Sequence, residues 1–151
     1  MLLSTAARAV PTTVNVMRAN PARLLLVSDE PKHLKALQAE LSCNGVEITK
    51  ATTTEELRLA CHLIHDLAVV DVAPGNVVDV LETLRGSATH GEISVLVETS
   101  RLQEDPSLAG VLPTFRAMPC NTDELVRLAR SRVSSAKKRR VSNIANSNKV
   151  L

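Results

Sequence analysis

Aromatic residues are almost absent from this chain, which has one Phe, no Trp and no Tyr in 151 residues. Because single strands of nucleic acid are held largely by stacking bases on aromatic side chains, that mode of binding is excluded. The longest apolar runs have four or five residues, too few to span a membrane. The three cysteines are odd in number and show no paired spacing. This usage is typical of reduced thiols, so we expect a cytoplasmic protein.

Charge is unevenly distributed along the chain. Residues 1–22 carry two arginines and no acid, whereas residues 23–130 carry ten basic residues and all sixteen acidic ones, a net charge of −6. Residues 131–151 carry six basic residues and no acid. This pattern predicts an acidic folded body with a disordered leader at 1–21 and a basic flexible tail at 134–151. The tail is the part that could attach to nucleic acid or to an anionic surface.

Between these ends, residues 22–133 alternate strand and helix patterns. Buried runs at 23–27, 67–71 and 93–97 are apolar on both faces, which is typical of parallel strands covered by helices. The predicted strands are 23–27, 46–51, 67–71, 93–97 and 111–117, and helices are expected near 31–41, 53–64, 77–85, 102–109 and from 121 onward. This order predicts a doubly wound α/β domain with a flavodoxin-like parallel sheet in order 2-1-3-4-5 and helices on both faces.

Local signals define several helix ends and faces. Thr53 with Glu56, and Asn121 with Glu124, have the spacing of reciprocal N-caps. The buried face of the second helix is predicted to contain Leu57, Ala60, Cys61 and Ile64. His33 and His90 are expected to face solvent. Cys61 and His65 share a helical spacing but lack the further ligands of a closed zinc site.

Three of the buried strands end in polar residues. Because the carboxyl ends of parallel strands meet at one edge of the sheet, Asp29, Asp71 and Thr99 are expected at a common rim. Open α/β sheets bind their ligands at such a rim. The sequence therefore predicts a site there.

In the order and spacing of six short segments, the chain resembles the receiver domain of bacterial response regulators. The segments are Ser28-Asp29-Glu30-Pro31, Val69-Val70-Asp71 with Pro74-Gly75, Thr99-Ser100, Phe115, Met118-Pro119 and Asn121 to Leu125. The chain departs from the family pattern at Ser28, where an acid is usual, and at Met118, where a lysine is usual. The loop after Asp71 is also shorter.

The resemblance implies a set of roles at the rim. Asp71 would be the phospho-acceptor, and Mg²⁺ would be held weakly by Asp29, Asp71 and the carbonyl of Ala73. Thr99 would contact the phosphoryl group, and Ser28 would orient a metal-bound water. Phe115 would be the switch aromatic on the fifth strand, with Met118 breaking the link that a lysine normally makes.

Two functions stay open at this point. The first is a single-domain signalling protein of a two-component phosphorelay, which takes phosphate from a histidine kinase with weakened chemistry. The second is a phosphorylation-independent pseudo-receiver that acts as a protein-interaction scaffold. Either would act through a histidine kinase or another signalling protein, or through a homodimer. No glycine-rich phosphate loop or nucleophile–base pair supports an enzyme.

Overall fold

The sheet has five parallel strands in the order β2-β1-β3-β4-β5. A computed structural model describes residues 21–42, 45–103 and 105–135. The strands are β1 (Ala22–Ser28), β2 (Val46–Ala51), β3 (Leu67–Asp71), β4 (Ser94–Glu98) and β5 (Ala117–Cys120). The predicted fold class and strand order are confirmed.

Five helices of the described part of the chain cover the two faces of the sheet. They are α1 (Pro31–Leu41), α2 (Thr54–Ala60), α3 (Pro74–Gly86), α4 (Leu108–Thr114) and α5 (122–135). One face of the sheet packs against α1 and α5, and the other packs against α2, α3 and α4. Alternate residues of one strand enter different cores: Leu24 and Leu26 face α1, whereas Leu25 and Val27 face the opposite side. The β1 run is apolar throughout because both faces are covered.

Two helix N-termini are capped as the sequence indicated. Thr53 Oγ1 accepts the Glu56 amide at 3.1 Å, although the Glu56 carboxylate reaches back to Thr52 instead of Thr53. Asn121 Oδ1 accepts the Glu124 amide at 2.8 Å, and the Glu124 carboxylate accepts the Asn121 amide at 3.4 Å. Both caps satisfy amides that the first turn of a helix leaves without partners.

The segment from 102 to 120 differs from the sequence prediction. Residues predicted as a fifth strand at 111–117 form most of α4, and the strand itself is Ala117–Cys120. The helix predicted at 102–109 is therefore also wrong, since α4 begins only at Leu108. The reason is the spacing of the buried residues, because Leu108 and Leu112 lie four apart on one helical face. Arg116, with a φ of 56°, then turns the chain into β5.

The second helix is shorter than predicted. It ends at Ala60 with Cys61 as its C-cap, and the chain turns before β3. Leu57 and Ala60 are buried and Cys61 is half-buried, but Ile64 is 63% exposed. Ile64 was therefore wrongly placed on the buried face, because the helical period stops before it.

The remaining boundaries shift by a few residues. β1 gains one residue at each end, β4 begins and ends one residue later than predicted, and α3 begins at Pro74 and not near Val77. Residues 134 and 135, predicted as the start of the tail, continue α5. The leader at 1–20 and the segment 136–151 lie outside the described residues. Within 21–42, 45–103 and 105–135, no helix combines the length and the apolar character needed to cross a membrane.

Candidate functional site

The candidate site lies at the carboxyl-terminal rim of the sheet, where β1, β3 and β4 end side by side. Ser28 pairs with Asp71, so the end of β1 lies directly beside the end of β3. Val70 pairs with Val97, which places Asp71 next to the end of β4 at Glu98. Asp29 follows β1 immediately, so the parallel register brings two carboxylates to one rim, as predicted.

Arg101 joins these two carboxylates, although it was not among the predicted site residues. Its Nη1 atom is 2.7 Å from Asp29 Oδ1 and 3.5 Å from Asp71 Oδ1. The same nitrogen donates a hydrogen bond of 3.1 Å to the backbone carbonyl of Asp71. The contacts to the two Oδ1 atoms are ion pairs rather than aligned hydrogen bonds. The signal that could have found Arg101 is a lone cation three residues after Glu98, beside a rim with three acids.

Asp29 is held from both sides. Its Oδ2 atom accepts the Ala73 amide at 2.9 Å and the Asn76 side-chain amide at 2.8 Å, while Oδ1 faces Arg101. Partial burial raises the pKa of the Asp29 carboxyl, but the donors from Ala73, Asn76 and Arg101 lower it by more. The pKa is therefore below its ordinary value, and Asp29 is ionised at neutral pH.

Asp71 is buried, with only 2% of the residue exposed. Its Oδ2 atom lies 3.3 Å from Nδ1 of His33, which is exposed on α1, as expected. Burial raises the pKa of the Asp71 carboxyl, Arg101 and His33 lower it, and Glu98 raises it further. The result is a pKa above the ordinary value, opposite to that of Asp29.

The predicted magnesium ligands do not fit a metal ion as they are arranged. Mg²⁺ requires oxygen ligands at about 2.0–2.1 Å in octahedral geometry. Arg101 Nη1 occupies the space between the Asp29 and Asp71 oxygens. The Ser28 hydroxyl, expected to orient a water, donates to the Glu30 carbonyl at 3.2 Å. The Ala73 carbonyl accepts the Asn76 amide at 2.9 Å.

Thr99 is at the rim, but its hydroxyl is already engaged. Both the hydroxyl and the amide of Thr99 donate to the carbonyl of Cys120, at 3.1 and 2.9 Å. The neighbouring Glu98 is buried and accepts from the Ser100 amide and the Thr122 hydroxyl. Glu98 thus ties β4 to the start of α5, a role that sequence reasoning missed.

The two predicted switch residues lie away from the end of β5. Phe115 is the C-cap of α4 and not part of a strand, so its placement on the fifth strand was wrong. Met118 pairs with Leu96 and is 42% exposed, whereas Cys120 is the β5 residue level with Glu98. Burial raises the pKa of the Cys120 thiol, so it brings no charge to the rim. The switching roles of Phe115 and Met118 stay predictions.

A groove of about 900 Å³ runs from this rim between α1 and α5. Its apolar wall includes Leu37 and Val126, and its rim end includes His33, Asp71 and Arg101. This groove is the side from which a ligand could approach Asp71.

A second polar cluster lies on the far side of the domain. His90, expected at the surface, is fully buried, and its Nε2 atom is 2.8 Å from His65 Nδ1. The outer nitrogens contact Thr49 Oγ1 at 2.9 Å and Thr89 Oγ1 at 2.6 Å. Among the described residues, no group of three or more His, Cys, Asp or Glu side chains could hold a metal ion.

The comparison with known proteins rests on structure alone. No family model matches the chain, and no curated protein matches it. The receiver domain of a Francisella response regulator is similar, with 18% identity and a TM-score of 0.58 over 80% of this chain and 98% of that one. The fold is that of a receiver domain. A signal receiver domain of a two-component histidine kinase from Clostridium thermocellum agrees, with 12% identity and a TM-score of 0.56 over 78% and 98% of the two chains. The predicted resemblance to receiver domains is therefore confirmed at the level of the fold.

Proposed function

We propose that this receiver-fold protein is a pseudo-receiver, an interaction scaffold that binds a signalling protein without being phosphorylated. The observation that carries the proposal is that both carboxylate oxygens of the buried Asp71 face side chains of the same chain, Arg101 and His33. Of the two functions that the sequence left open, the scaffold is the one that this geometry favours.

The environment of Asp71 opposes nucleophilic attack. A carboxylate that attacks phosphorus must approach it in line with the leaving group, with cations holding the transferred oxygens. Here Oδ1 faces Arg101 and Oδ2 faces His33, so both oxygens already have partners within the chain. The raised pKa of Asp71 also reduces the ionised fraction as the pH falls toward the acid range.

In the receiver family, the fifth strand normally supplies a lysine that contacts the phosphoryl group. In this chain β5 supplies no cation. From Met118 to Cys120, β5 contributes a thioether, a proline ring and a thiol. Losing a charge-assisted contact to a phosphoryl group should cost about 2–3 kcal/mol. A phosphorylated Asp71 would therefore be poorly stabilised.

The coupling between phosphorylation of Asp71 and a conformational change is expected to be weak as well. The Thr99 hydroxyl would have to leave the Cys120 carbonyl to reach a phosphoryl group, an exchange of one hydrogen bond for another worth about 1 kcal/mol. Shifting a population from 1:99 to 99:1 takes about 5.5 kcal/mol. The domain is therefore expected to stay in one conformation.

A phosphorelay role with weakened chemistry is the second candidate. The observation in its favour is that the Asp29 and Asp71 carboxylates meet at one rim, where the resemblance places a phospho-acceptor and its metal ligand. In that case a histidine kinase would be the phosphate donor, and Arg101 would have to move aside. Either function needs a signalling protein as partner.

Incubation with acetyl phosphate and Mg²⁺ tests the proposal, with intact mass as the readout. Asp71→Asn is the matched control, because it cannot form an acyl phosphate. We expect no phosphoryl adduct on the wild type above the control level. A stoichiometric adduct that is absent from Asp71→Asn would replace the scaffold with the phosphorelay function.

A further inference from the structure

One nitrogen of Arg101 contacts three oxygens of the rim, two of which belong to the carboxylates that the resemblance assigns to a metal ion. Nη1 lies 2.7 Å from Asp29 Oδ1, 3.5 Å from Asp71 Oδ1 and 3.1 Å from the Asp71 carbonyl. Two carboxylates and a backbone carbonyl are the hard oxygen ligands that Mg²⁺ prefers. In this chain the oxygens converge on a guanidinium.

Some cation is required at this place. Without one, the Asp29 and Asp71 carboxylates would repel each other in a partly desolvated rim, and the buried Glu98 would add to the repulsion. His33 reaches only Asp71 Oδ2, from the exposed side. Among the described residues, Arg101 alone contacts both carboxylates, so its positive charge offsets one of their two negative charges and screens their repulsion.

We propose that Arg101 is the resident cation of the rim and that it excludes divalent metal ions from Asp29 and Asp71. The guanidinium occupies the position that two carboxylates would offer to Mg²⁺, and it cannot lose its charge at physiological pH. Because Arg101 is part of the same chain, it is always present at a high effective concentration. A free ion must displace it and break all three contacts.

The surrounding groups reinforce this exclusion. Asp29 Oδ2 is committed to Ala73 and Asn76, so Asp29 can offer a metal only the oxygen that Arg101 holds. The side chain of Arg101 is 24% exposed, which leaves it enough shielding from water for the ion pairs to persist. The rim thus keeps a fixed charge whatever the Mg²⁺ concentration.

This inference deepens the proposed function and rests on it for its meaning in signalling. A rim whose two aspartates are occupied by its own arginine offers no metal ion that could recruit a phosphodonor. The test below measures metal binding and no phosphoryl transfer, so its failure is distinguishable from failure of the scaffold proposal.

Thermal unfolding in EDTA and in millimolar Mg²⁺, at matched ionic strength, tests the inference on the full chain. The variants are Arg101→Gln, Arg101→Gln combined with Asp29→Asn, and Arg127→Gln as the matched control. Arg127 is an exposed arginine of the same groove. We expect no Mg²⁺ effect on the Tm of the wild type or of Arg127→Gln. Arg101→Gln should lose several degrees in EDTA and regain a few degrees with Mg²⁺, because a ligand that binds only the folded state stabilises it. The double variant should regain none.

Two results would overturn the inference. One is a wild-type Tm that rises with Mg²⁺ as much as that of Arg101→Gln. The other is a folded Arg101→Gln whose Tm ignores Mg²⁺, since the two carboxylates would then form no cation site. If Arg101→Gln does not fold, amide chemical shifts of the wild type decide, because saturable Mg²⁺ shifts at Asp29 and Asp71 would contradict exclusion.

Discussion

His65 Nδ1 lies 2.8 Å from His90 Nε2, inside the domain and 25 residues apart in sequence. The pair continues outward to Thr49 on one side and Thr89 on the other, so each imidazole has a partner at both nitrogens. At this distance one of the two facing nitrogens carries a hydrogen and donates it to the other, whereas a doubly protonated pair would place two N–H donors face to face. The contact therefore excludes a doubly charged pair, and burial disfavours a charge on either ring, which lowers the pKa of both histidines.

The histidine pair predicts a loss of stability in acid. Burial and the neighbouring His90 lower the pKa of His65 to about 4, whereas an unfolded histidine titrates near 6.5. Between these values the unfolded state binds more protons, so stability is complete above about pH 6.5 and falls as the pH drops toward 4, by up to about 3 kcal/mol.

Urea unfolding as a function of pH measures this loss. His90→Gln should reduce the dependence between pH 4 and 6.5, because it removes one buried histidine and its repulsion of a charged His65. His62→Gln, at an exposed histidine of the same chain, should leave it unchanged. An unaltered slope in His90→Gln would show that other groups cause the acid sensitivity.

The two rim aspartates are expected to respond oppositely to neutralisation. The pKa of Asp29 is lowered in the folded state, so its negative charge stabilises the fold at pH values above the unfolded pKa near 3.8. Asp29→Asn should therefore lower the free energy of unfolding by about 1–2 kcal/mol at pH 7. The Asp71 pKa is raised, so its charge opposes folding at neutral pH and Asp71→Asn should be neutral or stabilising. Chemical denaturation of both variants checks the signs. A marked destabilisation by Asp71→Asn would mean that its pairing with Arg101 outweighs its burial.

Arg85 is expected to be the most sensitive arginine for folding. From the last turn of α3, its guanidinium donates to five backbone carbonyls, those of His90, Gly91, Ile93, Phe115 and Arg116. Arg85→Ala leaves these carbonyls without their donor and should lower the free energy of unfolding by about 2–3 kcal/mol. Arg58→Ala, in the last turn of α2, should change stability by less than about 0.5 kcal/mol. Equal effects of the two substitutions would contradict this role.

The segment 136–151 is expected to set any affinity for polyanions. It carries five basic residues and no acid, next to an acidic body. A chain that stops after residue 135 keeps the buried Val133 of α5, so its Tm should match that of the full chain. Its retention on heparin at low salt should fall steeply. Unchanged retention would place the anion-binding charge on the folded body.

The sequence predicted the sheet because apolar runs such as 24–27 and 67–70 suit only strands covered on both faces. The secondary-structure prediction was wrong between residues 102 and 120, because the short apolar groups there fit either a strand or a helix. The packing of Leu108 and Leu112 on one face decides in favour of a helix. The convergence of Asp29 and Asp71 follows from parallel register, so it was predictable. Arg101 was missed: its position three residues after Glu98 suggests a cation near the rim, but only the folded loop shows that it reaches both carboxylates.

The exclusion of metal ions from Asp29 and Asp71 by Arg101 is tested most directly by a crystal structure of the wild type. The crystals are grown in tens of millimolar Mg²⁺ with beryllofluoride. Beryllofluoride mimics a phosphoryl group on an aspartate, so the soak offers the rim both ligands that a working receiver takes. We expect Arg101 Nη1 to remain between Asp29 and Asp71, with no beryllium on Asp71. A magnesium ion between the two carboxylates, beryllofluoride on Asp71 and Arg101 turned out to solvent would contradict the account.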